Sequence, residues 1–166
     1  QAVSALKRML GVKKAGHGGT LDPAAAGVLP IFLGQATRVA QFVSNDDKEY
    51  IAQVRFGIST DTQDAQGRAI FTSDAVVDED AMRALLNALP RELTQVPPAY
   101  SAIKVGGRKS VDLARKGIAR EIPARRVRID EKQFLGAVGP NAYLIRIRCS
   151  KGTYIRTLCH DFGEAV

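Results

Sequence analysis

The chain has 166 residues, 45% hydrophobic and 25% charged, with 24 basic and 17 acidic side chains and a net charge of +7. That is enough chain for one domain with a real core, and the balance is that of a soluble globular protein rather than a membrane-spanning one. No signal peptide is visible, no apolar run nears the ~20 residues a membrane helix needs, and Cys149 and Cys159 make neither a disulfide framework nor a zinc pattern.

In chain order the pattern is mixed. Val3, Leu6 and Leu10 at helical spacing predict a helix over residues 1–10, stopped by Gly11. "QATRVAQFV" places Ala36, Val39, Ala40 and Val43 on one helical face. "EYIAQVRFG" alternates Tyr50, Ala52, Val54 and Phe56 against Ile51, Gln53 and Arg55, a strand. "TDTQDAQGRAIF" reads as a turn leading into a short strand. "DEDAMRALLNALP" is the clearest helix, with acids in its first turn, an apolar stripe through Ala81, Met82, Leu85, Leu86 and Leu89, and Pro90 as breaker. "QVPPAYSAIK" is extended by its prolines, and "KSVDLARKG" fits a short helix. "RRVRID" and "AYLIRIRCS" read as strands, the second with Tyr143, Ile145, Ile147 and Cys149 on one face. "GTYIRTLCHDFG" opens a last helix, with Thr153 as the expected cap and Ile155, Leu158, Cys159 and Phe162 inward. The two cysteines read as buried structural thiols in a reducing compartment.

The charge is concentrated. Between Lys104 and Arg128 nine basic side chains face only Asp112 and Glu121, so these 25 residues carry the whole net +7 and the rest of the chain is neutral. Such a patch suits a polyanion, since each neutralised phosphate releases counterions. The alternative is a solvated loop that keeps the protein in solution.

A second feature is "GHGGTLDPAAAGVLP", residues 16–30, where one acid, Asp22, stands among Gly, Ala, Thr, Leu and Pro. The glycines permit close backbone approach, and Pro23 forces Asp22 into an extended conformation. An acid on a sharp turn with space before it can be a turn residue or a catalytic one. No Gly-Lys-Ser/Thr follows, so a phosphate loop fits poorly, and no second acid stands two residues on to suit a phosphoryl-aspartate. Two histidines complete neither a hydrolytic triad nor a metal site.

"KKAGHGGTLDPAAAGVLPIFLG" resembles the signature of the TruB family of tRNA pseudouridine synthases. "DDKEYIAQVRFGISTDTQDAQG", "VPPAYSAIKVGGRK" with "LARKG", and "RCSKGTYIRTLCHDFG" resemble its other three blocks, in family order over nearly the whole chain. The Thr-Asp-Thr block is similar to the bacterial tRNA enzymes rather than to the archaeal and eukaryotic relatives of guide-RNA particles. Gly18 stands where the family usually has Thr or Ser, Ala26 where it has Thr, Ser or Val, and Val111 where it has Tyr. The resemblance implies that the chain is a fragment. Its single catalytic domain, residues 1–166, would lack the family's opening strand and C-terminal RNA-binding domain.

The implied fold is α+β, the pseudouridine synthase fold: a central mixed, largely antiparallel sheet flanked by helices, with a mobile basic insertion at residues 99–126. The implied reaction isomerises uridine 55 in the T arm of tRNA, without metal or cofactor, in a cytoplasmic monomer away from membranes. By family match Asp22 is the catalytic aspartate, Arg156 the cation that keeps it ionised against burial, and Tyr50 the ring that stacks on the target base. Base attack, sugar attack and a glycal route remain open. His17 would fill the space left by flipped bases. Lys13, Lys14, Lys48, Asp64 and Tyr154 would contact or orient the RNA, and Lys104, Arg108, Lys109, Arg115, Lys116, Arg125 and Arg126 of the insertion would hold the T stem-loop by its phosphates. Two other readings compete: a non-catalytic tRNA-binding module that remodels the T arm, and the same chemistry on another RNA.

Overall fold

A computed structural model describes residues 2–43, 46–118 and 120–166; Gln1, Ser44, Asn45, Ala119 and the side chain of Val43 lie outside the described residues. The chain divides into two compact units, Gln1–Asp46 and Asp47–Val166.

In the first unit, α1 (Ala2–Leu10) ends as its sequence predicts. Lys7 and Arg8 occupy its last turn, Gly11 takes φ +61°, and the Val12 N–H reaches back to the Lys7 carbonyl at 3.1 Å. This closure needs a left-handed residue, which glycine supplies without strain. Strands β1 (Ala15–His17) and β2 (Ile31–Leu33) pair antiparallel, with Gly16 opposite Phe32. Residues 34–43 depart from the predicted single helix. Gly34–Arg38 form a 3-10 turn, and α2 spans only Ala40–Val43. Gly34 has φ +54° and Val39, placed inward by the pattern, is half exposed. Ala-, Gly- and Thr-rich stretches offer too little apolar surface to hold a longer helix.

The second unit is built on a four-stranded sheet in the order β3 (Lys48–Arg55), β10 (Ala142–Cys149), β9 (Arg125–Gly139), β6 (Glu92–Gln95). Each of these pairings is antiparallel. A hairpin of β4 (Ile58–Thr60) and β5 (Ala69–Thr72), and a smaller one of β7 (Lys104–Val105) and β8 (Arg108–Lys109), lie outside it. Tyr143, Ile145, Ile147 and Cys149 of β10 are all buried, as their alternation requires. They join Val54, Phe56 and Ile129 against Met82 and Leu86 of α3 (Glu79–Ala88) and Leu158 and Phe162 of α5 (Ile155–Glu164). Each such side chain contributes about 1.5–3 kcal/mol by leaving water. Asp78 caps α3, its carboxylate accepting from the Ala81 N–H at 2.8 Å.

Two expectations are corrected. Thr153 does not cap α5: its hydroxyl donates backward to the Ser150 carbonyl at 2.8 Å, and Tyr154 holds the N-cap position. The strand predicted at residues 125–130 continues to Gly139. Register shifts and a Gly136 at φ +140° break the simple alternation there. No helix among the described residues is long and apolar enough to cross a membrane.

Candidate functional site

Asp22 lies in the loop that joins β1 to β2. Backbone bonds outside the paired residues pin the loop's base: Gly34 N–H to the Lys14 carbonyl at 2.8 Å and Gly18 N–H to the Pro30 carbonyl at 2.9 Å. Gly18 is buried, and a Cβ there would stand 3.1 Å from the Phe32 ring. The position that departs from the family pattern is therefore filled by an aromatic edge from β2. Beyond it, the Ala25 N–H returns to the Asp22 carbonyl at 2.9 Å. Asp22 is thus the first residue of a β-turn with Pro23 second, where the fixed φ of proline favours closure. The carboxylate is half-buried, while the three alanines after Pro23 are exposed. His17 ends β1, and its Nδ1 meets the Gly19 carbonyl. Lys13 and Lys14 precede β1 on the exposed surface.

Within the second unit, Arg156 stands in the first turn of α5 with its side chain 14% exposed. Three residues on two segments hold it. Nη1 donates to the Thr62 carbonyl at 2.8 Å, Nη2 donates to the Tyr100 carbonyl at 3.1 Å, and Asp64 Oδ2 lies 3.6 Å from Nη1. A planar fork with five donors suits such divided anchoring; a lysine could not reproduce it.

The geometry also gives Asp64 a defined place. Its Oδ1 accepts from the Thr62 hydroxyl at 2.7 Å and the Gln66 N–H at 3.0 Å, and its carbonyl accepts from the Thr60 hydroxyl at 2.7 Å. It organises the 60–68 turn and offers its other oxygen to Arg156. The turn leaves no room at Gly67, where a Cβ would stand 2.2 Å from the Thr62 hydroxyl. "TDTQDAQG" is therefore a preformed clamp on Arg156.

Tyr50 sits in β3 opposite Ile147 and packs on the core from its half-buried position. Lys48 begins the same strand opposite Cys149. Tyr154 is held by Gln95, a residue the sequence pattern does not single out: its side chain is 1% exposed and bonds both backbone groups of Tyr154. The Arg125 guanidinium lies 5.4 Å from the Tyr154 ring centroid, a cation–π contact. Cys149 is fully buried, and burial pushes its thiol above the usual range; burial pushes the Cys159 thiol up to about 12. Both are inert thiols at neutral pH.

The insertion is structured by short elements. Gly106 at φ +57° and Gly107 at φ +80° turn β7 into β8, a two-residue turn that non-glycine residues adopt with difficulty. Lys104 then lies opposite Lys109, and Arg108 opposite Val105. Facing like charges are destabilising on a hairpin, which an anion would relieve. Helix α4 (Ser110–Ala114) follows, anchored by buried Leu113 and by the Ser110 hydroxyl on the Ala99 carbonyl at 2.7 Å. Arg115, Lys116 and Arg126 are exposed. Arg128, the last of the nine cations, is instead bound to Asp130 at 2.7 Å and Asp47 at 3.1 Å.

Residues 7–155 match the model of the TruB family pseudouridylate synthase (N terminal domain). The chain is 49% identical over 163 residues to tRNA pseudouridine synthase B of Aromatoleum aromaticum, covering 98% of this chain and 53% of that protein. It is 46% identical over 164 residues to that of Syntrophus aciditrophicus, covering 99% and 52%. It thus spans about half the length of the curated relatives it matches. Among solved structures, a Cbf5–Nop10–Gar1 complex aligns with TM-score 0.72 at 30% identity, over 99% of this chain and 39% of that one. An H/ACA RNP bound to a substrate RNA containing 2'-deoxyuridine aligns with TM-score 0.68 at 28% identity, over 99% and 38%.

Proposed function

The chain belongs to the TruB family of pseudouridylate synthases, and from that premise we propose that it is the catalytic part of a protein that converts uridine 55 in the T arm of tRNA to pseudouridine. The observation that carries this reading is the 46–49% identity, along nearly the whole chain, to bacterial tRNA pseudouridine synthases B. The lower identity, 28–30%, to the guide-particle structures favours tRNA over other RNAs.

Asp22 is the reacting carboxylate. To act on the glycosidic bond or the base it must be ionised where water is excluded, and a fixed cation offsets the desolvation that would otherwise neutralise it. Arg156 is that cation. Its anchors on Thr62, Tyr100 and Asp64 hold the guanidinium ready, so little reorganisation is needed at the moment of reaction. The target uridine is drawn from its loop at a cost of a few kcal/mol in stacking, and Tyr50 stacks on it. The uracil is then released from C1′, turns, and rejoins through C5, whose hydrogen leaves as a proton. N1, freed from the sugar, takes up a proton in exchange, so the composition of the RNA is unchanged. His17 supports the vacated space, and the cations of the insertion hold the backbone phosphates.

The loss of the C5 hydrogen gives the test. Full-length protein with [5-³H]uridine-labelled tRNA releases tritium to water. Asp22→Asn lowers the single-turnover rate constant by at least about 10³-fold and leaves tRNA affinity nearly unchanged. Turnover retained by this variant refutes the role of Asp22.

A further inference from the structure

The basic insertion leaves the sheet after Gln95 and returns at Arg125, and these two residues face each other in the β6–β9 pairing. Both of them reach Tyr154. The Gln95 carboxamide accepts from the Tyr154 N–H at 3.0 Å and donates to the Tyr154 carbonyl at 3.2 Å. The Arg125 guanidinium lies over the Tyr154 ring and against Gly152, where a Cβ would stand 3.1 Å from its Nη1. Just inside the insertion, the Tyr100 carbonyl accepts from Arg156. The two stems of the insertion therefore clasp the start of α5, which carries Tyr154 and Arg156.

A buried amide that only completes a core would tie two structural strands. This one ties the end of β6 to the residue that caps a helix, and a helix start is where backbone N–H groups lack partners of their own. Only a side chain that both donates and accepts at this reach makes both bonds to Tyr154. A methionine of the same length removes the partner of the Tyr154 N–H and leaves the carbonyl only the Leu158 N–H at 3.1 Å.

We infer that Gln95 is a positioning residue for the isomerisation: it fixes the backbone of Tyr154, and through it the Tyr154 ring and the Arg156 guanidinium, against the stems of the insertion that holds the RNA. This rests on the pseudouridine synthase reading above.

The test uses full-length protein, single-turnover tritium release at saturating tRNA, and separate measurement of the tRNA Kd. Gln95→Met lowers the rate constant about 10- to 100-fold, the equivalent of one or two missing hydrogen bonds, with Kd changed less than about 2-fold. Gln95→Glu, which still accepts from the Tyr154 N–H, falls between Met and wild type. An amide that serves folding alone reduces the reaction amplitude, because less protein is folded, and leaves the rate constant intact; that result overturns the inference. A wild-type protein that releases no tritium refutes the functional reading instead. Hydrogen exchange at the Tyr154 amide then decides on Gln95: faster exchange in Gln95→Met supports the clasp, and equal exchange overturns it.

Discussion

Arg128, Arg146 and Arg148 on the sheet each meet a carboxylate within hydrogen-bond distance: Asp130 at 2.7 Å, Glu49 at 2.7 Å and Glu131 at 2.9 Å. Lys104, Arg108, Lys109, Arg115, Lys116 and Arg126 on the insertion meet none among the described residues. Both regions are rich in cations, and the consequences are opposite. Pairs on the sheet neutralise themselves and knit β3, β9 and β10 together. The insertion leaves its charge unneutralised by such pairs, and two of its lysines are placed face to face across a hairpin. Arg156 makes a third case, a cation turned inward and fixed by carbonyls.

The comparison can be broken from three directions. The largest effect belongs to Arg156. Arg156→Lys keeps the charge and loses the fork, and lowers the single-turnover rate constant by about 10²–10³-fold, while tRNA affinity stays nearly constant. A variant with full activity would show that the anchoring on Thr62, Tyr100 and Asp64 is incidental. Next comes the insertion: changing Lys109, Arg115, Lys116 and Arg126 together to Ala lowers the slope of log affinity against log salt by roughly 3, at about 0.7–0.9 for each phosphate no longer neutralised. An unchanged slope contradicts phosphate binding there.

The smallest effect is on the sheet. Arg146→Gln leaves that slope alone and lowers Tm by no more than about 3 °C. The Arg146 guanidinium holds the Glu49 carboxyl below its ordinary 4.5. A depressed carboxylate adds stability above the ordinary value and loses it as pH falls through the depressed one. Wild type therefore loses stability more steeply below about pH 4.5 than Arg146→Gln does; parallel melting curves against pH would refute the pair.

What could be read from sequence follows the same physics. α3 was legible because cap, acids, stripe and breaker agree, and β10 because one face is wholly apolar. β6 was not: four residues between Pro90 and Pro97 give no periodicity, and its partner lies some thirty residues on. Residues 34–43 misled because a helical spacing of small side chains does not bury enough surface. For the proposed site, the resemblance nominates Asp22, Tyr50 and Arg156. The anchors could not, since Thr62 and Tyr100 act through carbonyls that carry no sequence signal. Gln95 is an ordinary polar residue until its burial and both Tyr154 bonds are seen. Asp64 could be named but its task could not, because hydrogen bonds to Thr62 and Gln66 and the approach to Arg156 depend on the turn being closed.

The account stands on a carboxylate meeting an extruded nucleotide. Its most direct measurement is a crystal structure of the full-length protein with a T-arm stem-loop carrying 5-fluorouridine at the target position. The predicted result is a nucleotide turned out of the loop, its ring against Tyr50, and its sugar or base within about 3 Å of the Asp22 carboxylate, with Arg156 beside that carboxylate. A target nucleotide still stacked in its loop, or turned out toward other residues with Asp22 remote from it, would contradict the account.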